Sequence, residues 1–243
     1  GLFRDGVVLV TGGGRGIGRE IALPFARLGA HAVIAGRDAD RLQETARDIE
    51  GAGVRCLARP TNIRVPEQVD ALVAAAIEQF GRIDFLINNA GGQFPALPLD
   101  VTDNGWRAVV DLNLNGTWNV TQRVGRHMVG RGFGSIVNIV HVYSHHRGAP
   151  DFVHSGAARA GVVNMTRTLA YHWGRHGVTI NALAPGTIDT AGLREEELAH
   201  ARDPGFEDRA MRAIPAQRLG RADEMAAICA FLCSPAARYV NGA

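Results

Sequence analysis

Cysteine is scarce in this chain, and the three present, Cys56, Cys229 and Cys233, form no C-x-x-C motif. Small buried core residues are therefore expected in place of a disulfide or a metal site, which fits a reducing, cytoplasmic setting. No apolar run is long enough for a membrane span. The first residues run straight into a strand, so no leader peptide is expected. Basic clusters are missing too. The formal net charge is +2 across 243 residues, too little to indicate nucleic acid or an anionic membrane as partner. No linker, repeat or low-complexity segment breaks the chain, so residues 1–243 are expected to form a single domain.

What is present is alternation. Apolar runs at Val7–Thr11, His31–Gly36, Val54–Arg59, Ile83–Asn88, Ser135–Val140 and Val178–Ala184 read as strands covered on both faces. Between them lie segments with apolar residues at three- and four-residue spacing, two of which stop at glycine. Repeated strand–helix units predict an α/β fold: one Rossmann-like, doubly wound parallel sheet with helices on both faces. After the last helical segment the chain reaches Ala243 as a further strand is due. The final strand is thus expected to be missing or truncated.

"TGGGRGIG" stands between the first strand and the first helix, with Gly12, Gly16 and Gly18 in a G-x-x-x-G-x-G spacing. Glycines there allow a tight turn and a close approach of phosphate, and the helix N-terminus supplies N–H donors. The second strand ends in Gly36 and Arg37, with Asp38 beyond, where an NAD site commonly places an acid. Arg15 lies inside the glycine loop. Two guanidiniums suit a 2′-phosphate, so NADP(H) is the expected cofactor.

"TGGGRGIG", "NNAGG" (Asn88–Gly92), "LNLNG" (Leu112–Gly116), "SIVNI" (Ser135–Ile139) and "NALAPGTIDT" (Asn181–Thr190) occur in this order. Over essentially the whole chain this resembles the short-chain dehydrogenase/reductase family. The resemblance implies strand order 3-2-1-4-5-6-7 and a homotetramer or homodimer built on the two long helices after strands four and five. It also implies cofactor contacts from Gly12, Arg15, Gly16, Ile17 and Gly18, from Asn62, and from Asn89, Ala90 and Gly91. Pro185, Gly186 and Ile188 would line the nicotinamide side, and Thr190 would bond the carboxamide or pyrophosphate.

The family's active site is Asn, Ser, Tyr and Lys, and only the asparagine transfers plainly, as Asn113. Val140 and His141 stand at the serine's place, Ser155 at the tyrosine's and Arg159 at the lysine's. Carbonyl reduction makes an alkoxide and wants a tuned acid. Serine is too weak an acid, and arginine does not shuttle protons, although it can hold a ribose hydroxyl and supply fixed charge. Enoyl thioester reduction asks instead for donors that stabilise an enolate oxygen. "NNAGGQFPALP" and "HSGAARAGVVNMTRTLA" resemble the peroxisomal trans-2-enoyl-CoA reductase and 2,4-dienoyl-CoA reductase branch. Dienoyl reductases of that branch carry a serine at the usual tyrosine place and a tyrosine five residues after the asparagine of the fifth-strand motif. Here that is Tyr143. Asn113, Tyr143, Ser155 and Arg159 are therefore the expected catalytic set, with an acyl-CoA thioester as small-molecule substrate. Two alternatives stay open: a carbonyl or alcohol oxidoreductase using Tyr143 or a histidine as acid, and an inactive member with a structural or regulatory part. His141, His145, His146 and His154 lack an acid partner at ligand spacing. They fit a polar active-site rim, with one of them able to pass a proton, better than a metal. Glu195, Glu196 and Glu197 read as a solvated helix face in the lid region, 191–220.

Overall fold

Side-chain alternation inside each strand decides how the sheet is clothed. In β1 (Val7–Thr11), Val8 and Val10 enter one apolar cluster while Val7 and Leu9 enter the other, as a two-residue period requires. The computed structural model describes residues 1–142, 148, 151–194, 205 and 211–243. Their order is β1, α1 (Gly16–Arg27), β2 (His31–Gly36), α2 (Ala39–Glu50), β3 (Cys56–Pro60), α3 (Pro66–Phe80), β4 (Phe85–Asn88) and α4 (Asp103–Val110). A π-helical turn (Asp111–Asn115) follows, then α5 (Gly116–Arg131), β5 (Gly134–Ile139), α6 (Val153–Trp173) and β6 (Val178–Leu183). The short strands β7 (Ile188–Asp189) and β8 (Gly220–Arg221) precede α7 (Ala222–Cys233). Six strands form a parallel sheet in the order β3-β2-β1-β4-β5-β6. Residues of α1, α2 and α7 fill one face, with Phe3 stacked on Phe25 and Phe85 tilted against both. Residues of α3 and α5, with Ala170 of α6, fill the other.

The seventh strand of the family's order is not among the elements of the described residues, in line with the expectation of a missing or truncated final strand. Residues 240–243 nonetheless lie along β6. The Gly242 N–H donates to the Ile180 carbonyl (2.9 Å), and the Ala182 N–H donates to the Ala243 carbonyl (2.8 Å). The Asn241 side chain accepts from the Ile180 N–H (2.9 Å). The edge of β6 is thus paired at three points. β7 and β8 form a separate parallel pair, which pins both ends of the 191–220 segment beside the sheet's C-terminal edge.

Where β4 and β5 end, their paired residues Asn88 and Asn138 carry a wholly buried polar chain. Asn88 Nδ2 donates to Thr121 Oγ1 of α5 and to Asn138 Oδ1, and Asn138 Nδ2 donates to Thr166 Oγ1 of α6, each at 2.8 Å. In a dry interior such bonds fix geometry, because every broken link leaves a polar group unsatisfied. Two strands and two helices are thereby held in one register beneath the strand ends.

At the other end of the sheet, the buried carboxylate of Asp84 accepts from the Val7 N–H (2.9 Å), twice from Arg82 (2.7 Å each) and from Arg131 (3.2 Å). Asp84→Ala leaves the Val7 N–H without its partner and two arginines without their anion. The expected loss is about 3 kcal/mol of stability, seen as a lower urea midpoint at unchanged m-value. A midpoint within error of wild type would show that Asp84 does not tie the strands.

Candidate active site

A cleft of about 610 Å³ opens above the C-terminal strand ends, where doubly wound sheets bind ligands. One wall is the glycine loop. Gly12 and Gly16 have positive φ, +67° and +54°, which only glycine adopts without strain. A Cβ on Gly18 would lie 2.2 Å from the Gly12 carbonyl oxygen, so α1 packs this close only with glycine there. Thr11 and Asn89 lace the loop to β4. Thr11 Oγ1 accepts from the Asn89 and Ala90 N–H groups (3.1 and 3.0 Å), and Asn89 Nδ2 donates to the Thr11 and Gly12 carbonyls (3.0 and 3.3 Å). No side chain caps the N-terminus of α1, and Ile17 joins the glycines in lining the cleft.

At this end the cleft is also lined by Arg15, Arg37, Arg41 and Asn62. Asp38 lines this end as well; it caps α2, accepting from the Arg41 N–H (3.1 Å), and pairs with Arg41 Nε (3.3 Å). Arg41 was not foreseen from the sequence. It sits in the first turn of α2, and only the fold turns that face toward the glycine loop. Asn62 Oδ1 accepts from the Arg64 N–H (3.1 Å), which shapes the turn after β3.

The opposite end joins the tips of β4 and β5 to α6. Arg159 is 7% exposed and donates to the Ile139 carbonyl at the end of β5 (2.7 Å). Burial pushes its pKa down to about 10, so it remains charged near neutrality. Among the described residues no carboxylate offsets that charge. The chain contains no lysine, and all 26 basic residues are arginine. His141 and Ser155 both line the cleft, and His141 Nε2 lies 3.1 Å from Ser155 Oγ. Burial first and the Arg159 charge second push the His141 pKa down to about 4. His141 is therefore neutral near pH 7 and, of the four histidines expected at the rim, is not the one set to pass a proton there.

Asn113 lies in the π-helical turn between α4 and α5, a distortion that commonly marks functional positions. Its Nδ2 donates to the carbonyls of Gly92 (2.7 Å) and Val109 (2.9 Å), and its Oδ1 accepts from the Gly92 N–H (3.3 Å). Both amide hydrogens are spent on backbone, so Asn113 is not a donor to a substrate oxygen. It holds the Gly91–Gly92 strand tip in place. His154 is also placed differently from expectation. It is fully buried, its Nδ1 accepts from the Ser155 N–H (2.8 Å), and its ring stands edge-on to Phe94 with centroids 4.6 Å apart. It shapes the start of α6 and is no part of a rim.

Pro185, Gly186, Ile188 and Thr190 line the cleft as expected. Thr190 Oγ1 accepts from the Leu193 N–H (3.1 Å), and the Pro185 carbonyl accepts from the Val142 N–H (3.1 Å). Tyr143, His145, His146, Glu195, Glu196 and Glu197 lie outside the described residues. The sequence has three tyrosines. Tyr171 and Tyr239 are exposed and do not line the cleft. Among the described residues no group of His, Cys, Asp or Glu converges as a metal site, and no helix is long and apolar enough to cross a membrane.

This fold and this cleft define a nicotinamide-dependent oxidoreductase, and the chain belongs to the short-chain dehydrogenase/reductase family. Residues 12–243 match the family model described as enoyl-(acyl carrier protein) reductase. The chain is 39% identical over 241 residues to the probable 2,4-dienoyl-CoA reductase of Bacillus subtilis, covering 97% of this chain and 92% of that one. It is 41% identical over 244 residues to the peroxisomal 2,4-dienoyl-CoA reductase of Pongo abelii, covering 100% and 82%. The crystal structure of levodione reductase superposes with a TM-score of 0.93 at 32% identity, covering 99% and 95%. The residues present fit such a cofactor: the glycine loop is open, the N–H groups of α1 lack a side-chain cap, and a Cβ on Gly186 would meet nothing within 4 Å.

The floor of the cleft is equally strict. A Cβ on Gly91 would lie 1.9 Å from Arg159 Nη2 and 2.7 Å from Asn113 Oδ1. Gly91→Ala must displace a buried guanidinium. The expected result is cofactor binding weaker by about tenfold or more, equivalent to about 1.4 kcal/mol, in a fluorescence titration. Undiminished binding would show that Arg159 yields without consequence.

Proposed function

We propose that the protein is an NADPH-dependent reductase of a carbon–carbon double bond conjugated to a thioester carbonyl, with acyl-CoA thioesters as the substrate class. One observation carries this reading. Among the described residues, the wall facing the reaction offers a fixed cation and a neutral hydroxyl–imidazole pair, and no tuned acid. An alkoxide product needs such an acid; an enolate oxygen needs stabilisation of its charge. The names of the Bacillus subtilis and Pongo abelii relatives support the same chemistry.

The cofactor, when bound, supplies the hydride. Gly12, Gly16, Ile17 and Gly18, with Thr190, would hold its pyrophosphate by backbone N–H groups and a hydroxyl. Arg15, Arg37 and Arg41 line this end of the cleft and would surround a 2′-phosphate, while Asp38, which lines it too, already accepts from the Arg41 N–H and pairs with the Arg41 side chain. Asn62, Asn89, Ala90 and Gly91 would pack on the cofactor's adenine and nicotinamide halves, and Pro185, Gly186 and Ile188 would close the nicotinamide side. Arg159 would hold the ribose and bias the site toward negative charge on the substrate oxygen. Ser155 would donate to that oxygen. Tyr143 is the phenol proposed beside it, because the other two tyrosines are on the surface. Asn113 acts through Gly91 and Gly92.

Purified protein should oxidise NADPH with crotonyl-CoA or a dienoyl-CoA and leave a ketone panel unreduced, followed at the nicotinamide absorbance band. Turnover of ketones alone would sink the reading. Arg37→Ala and Arg41→Ala should each raise the KM for NADPH about tenfold, the scale of one lost phosphate contact, and change that for NADH little. Equal effects on both cofactors would remove the 2′-phosphate from the argument. Tyr143→Phe should lower kcat about a hundredfold, as loss of an oxyanion donor does.

A further inference from the structure

The two places that the family gives to serine and tyrosine are filled here by His141 and Ser155, and their side chains meet. His141 follows β5 by two residues, while Ser155 lies in the first turn of α6. The 3.1 Å contact between Nε2 and Oγ therefore bridges the strand end and the helix start. Ser155 is 1% exposed, and its own N–H is held by the His154 ring at 2.8 Å. Its backbone is fixed, so the direction of its hydroxyl is what remains to be set. A serine hydroxyl has one hydrogen and two acceptor positions. If it gives that hydrogen to the imidazole, it has none for a substrate. If it accepts from the imidazole, its hydrogen is free for the cleft, and the accepted bond polarises it into a better donor.

We propose that His141 is a positioning residue whose Nε2–H donates to Ser155 Oγ and turns the Ser155 hydroxyl hydrogen toward the substrate oxygen. This rests on the enoyl reading above and deepens it, since it assigns how the donor to that oxygen is aimed. The imidazole suits the part because it stays neutral. Burial disfavours its charged form, and the charged group facing it among the described residues is Arg159. The opposing pull of its own carbonyl is the weakest influence. A neutral imidazole has one N–H and one bare nitrogen, so it can donate to Ser155 without adding a second positive charge beside Arg159. No proton leaves the pair. His141 and Ser155 hold the oxygen, and carbon takes its proton from water.

Two measurements on the full chain test this. The first is ring ¹⁵N NMR of histidine-labelled protein, with His141 assigned by the loss of its signals in His141→Ala. A neutral ring protonated at Nε2, unchanged from pH 8 down to about 5, is expected. A ring protonated at Nδ1, or one titrating near 6.5, overturns the proposal. The second is a double-mutant cycle. His141→Ala and Ser155→Ala should each lower kcat about a hundredfold with KM little changed, and the double variant should be no slower than either, because the pair acts as one unit. His141→Gln, which keeps an N–H donor, should recover most of the rate. Multiplying losses, or His141→Gln as slow as His141→Ala, would reduce His141 to a wall residue. A wild-type protein inert toward every enoyl thioester would overturn the enoyl reading alone, since the NMR measurement needs no substrate.

Discussion

A buried guanidinium that no carboxylate among the described residues offsets sets the terms for this cleft. Arg159 is tied to the end of β5 through the Ile139 carbonyl and pressed against Gly91 at the end of β4. Its charge is kept because even the lowered pKa lies well above neutrality. Several features follow from that one group. Gly91 must lack a side chain. His141, close by, is pushed toward its neutral form by burial first and by this charge second. The cleft as a whole carries positive charge where the substrate oxygen is proposed to sit. A buried charge costs several kcal/mol in desolvation unless something answers it, and among the described residues the Ile139 carbonyl answers it in part.

Such a group stays in place only if its surroundings do not relax. The polar chain from Thr121 through Asn88 and Asn138 to Thr166 lies directly under it, joining β4, β5, α5 and α6. Asn113 adds a second brace, since the π-helical turn aims its amide at both sides of the Gly92 peptide. These amides do the work of position; the chemistry is left to groups above them. Asn113 thus changes meaning between sequence and structure, from a donor to substrate into the clamp on the strand tip that carries Gly91.

The sheet was readable because burial on both faces writes continuous apolar runs. β1 and β2 coincide with the runs Val7–Thr11 and His31–Gly36, and β3 starts two residues later than its run because Val54 and Arg55 precede the paired stretch. The glycine loop was readable because positive φ and close packing admit one residue type. Contacts that depend on the fold's turning were not. Arg41 reaches the cleft through the facing of α2. The members of the His141–Ser155 pair are fourteen residues apart, and no periodicity in the sequence between them encodes their meeting. The π-helical turn at Asp111–Asn115 was not legible either, since hydrophobic spacing does not register one extra residue per turn. Cys229 and Cys233 are buried as composition suggested, and burial raises both thiols far from reactivity.

The replacements at the family's catalytic places make chemical sense as a set and little sense singly. Serine for tyrosine removes an acid. Histidine for serine would restore one, but the burial and charge around His141 take that away again. Arginine for lysine fixes a charge that no longer has a phenol to tune at position 155. What is left stabilises a negative oxygen without protonating it. An alkoxide oxygen, with its charge localised, is too basic to be released that way. An enolate oxygen shares its charge with carbon and is a much weaker base, so hydrogen bonds and a fixed cation suffice until carbon is protonated. The direction of these changes, and not the loss of any one residue, is what separates an altered reductase from a decayed one.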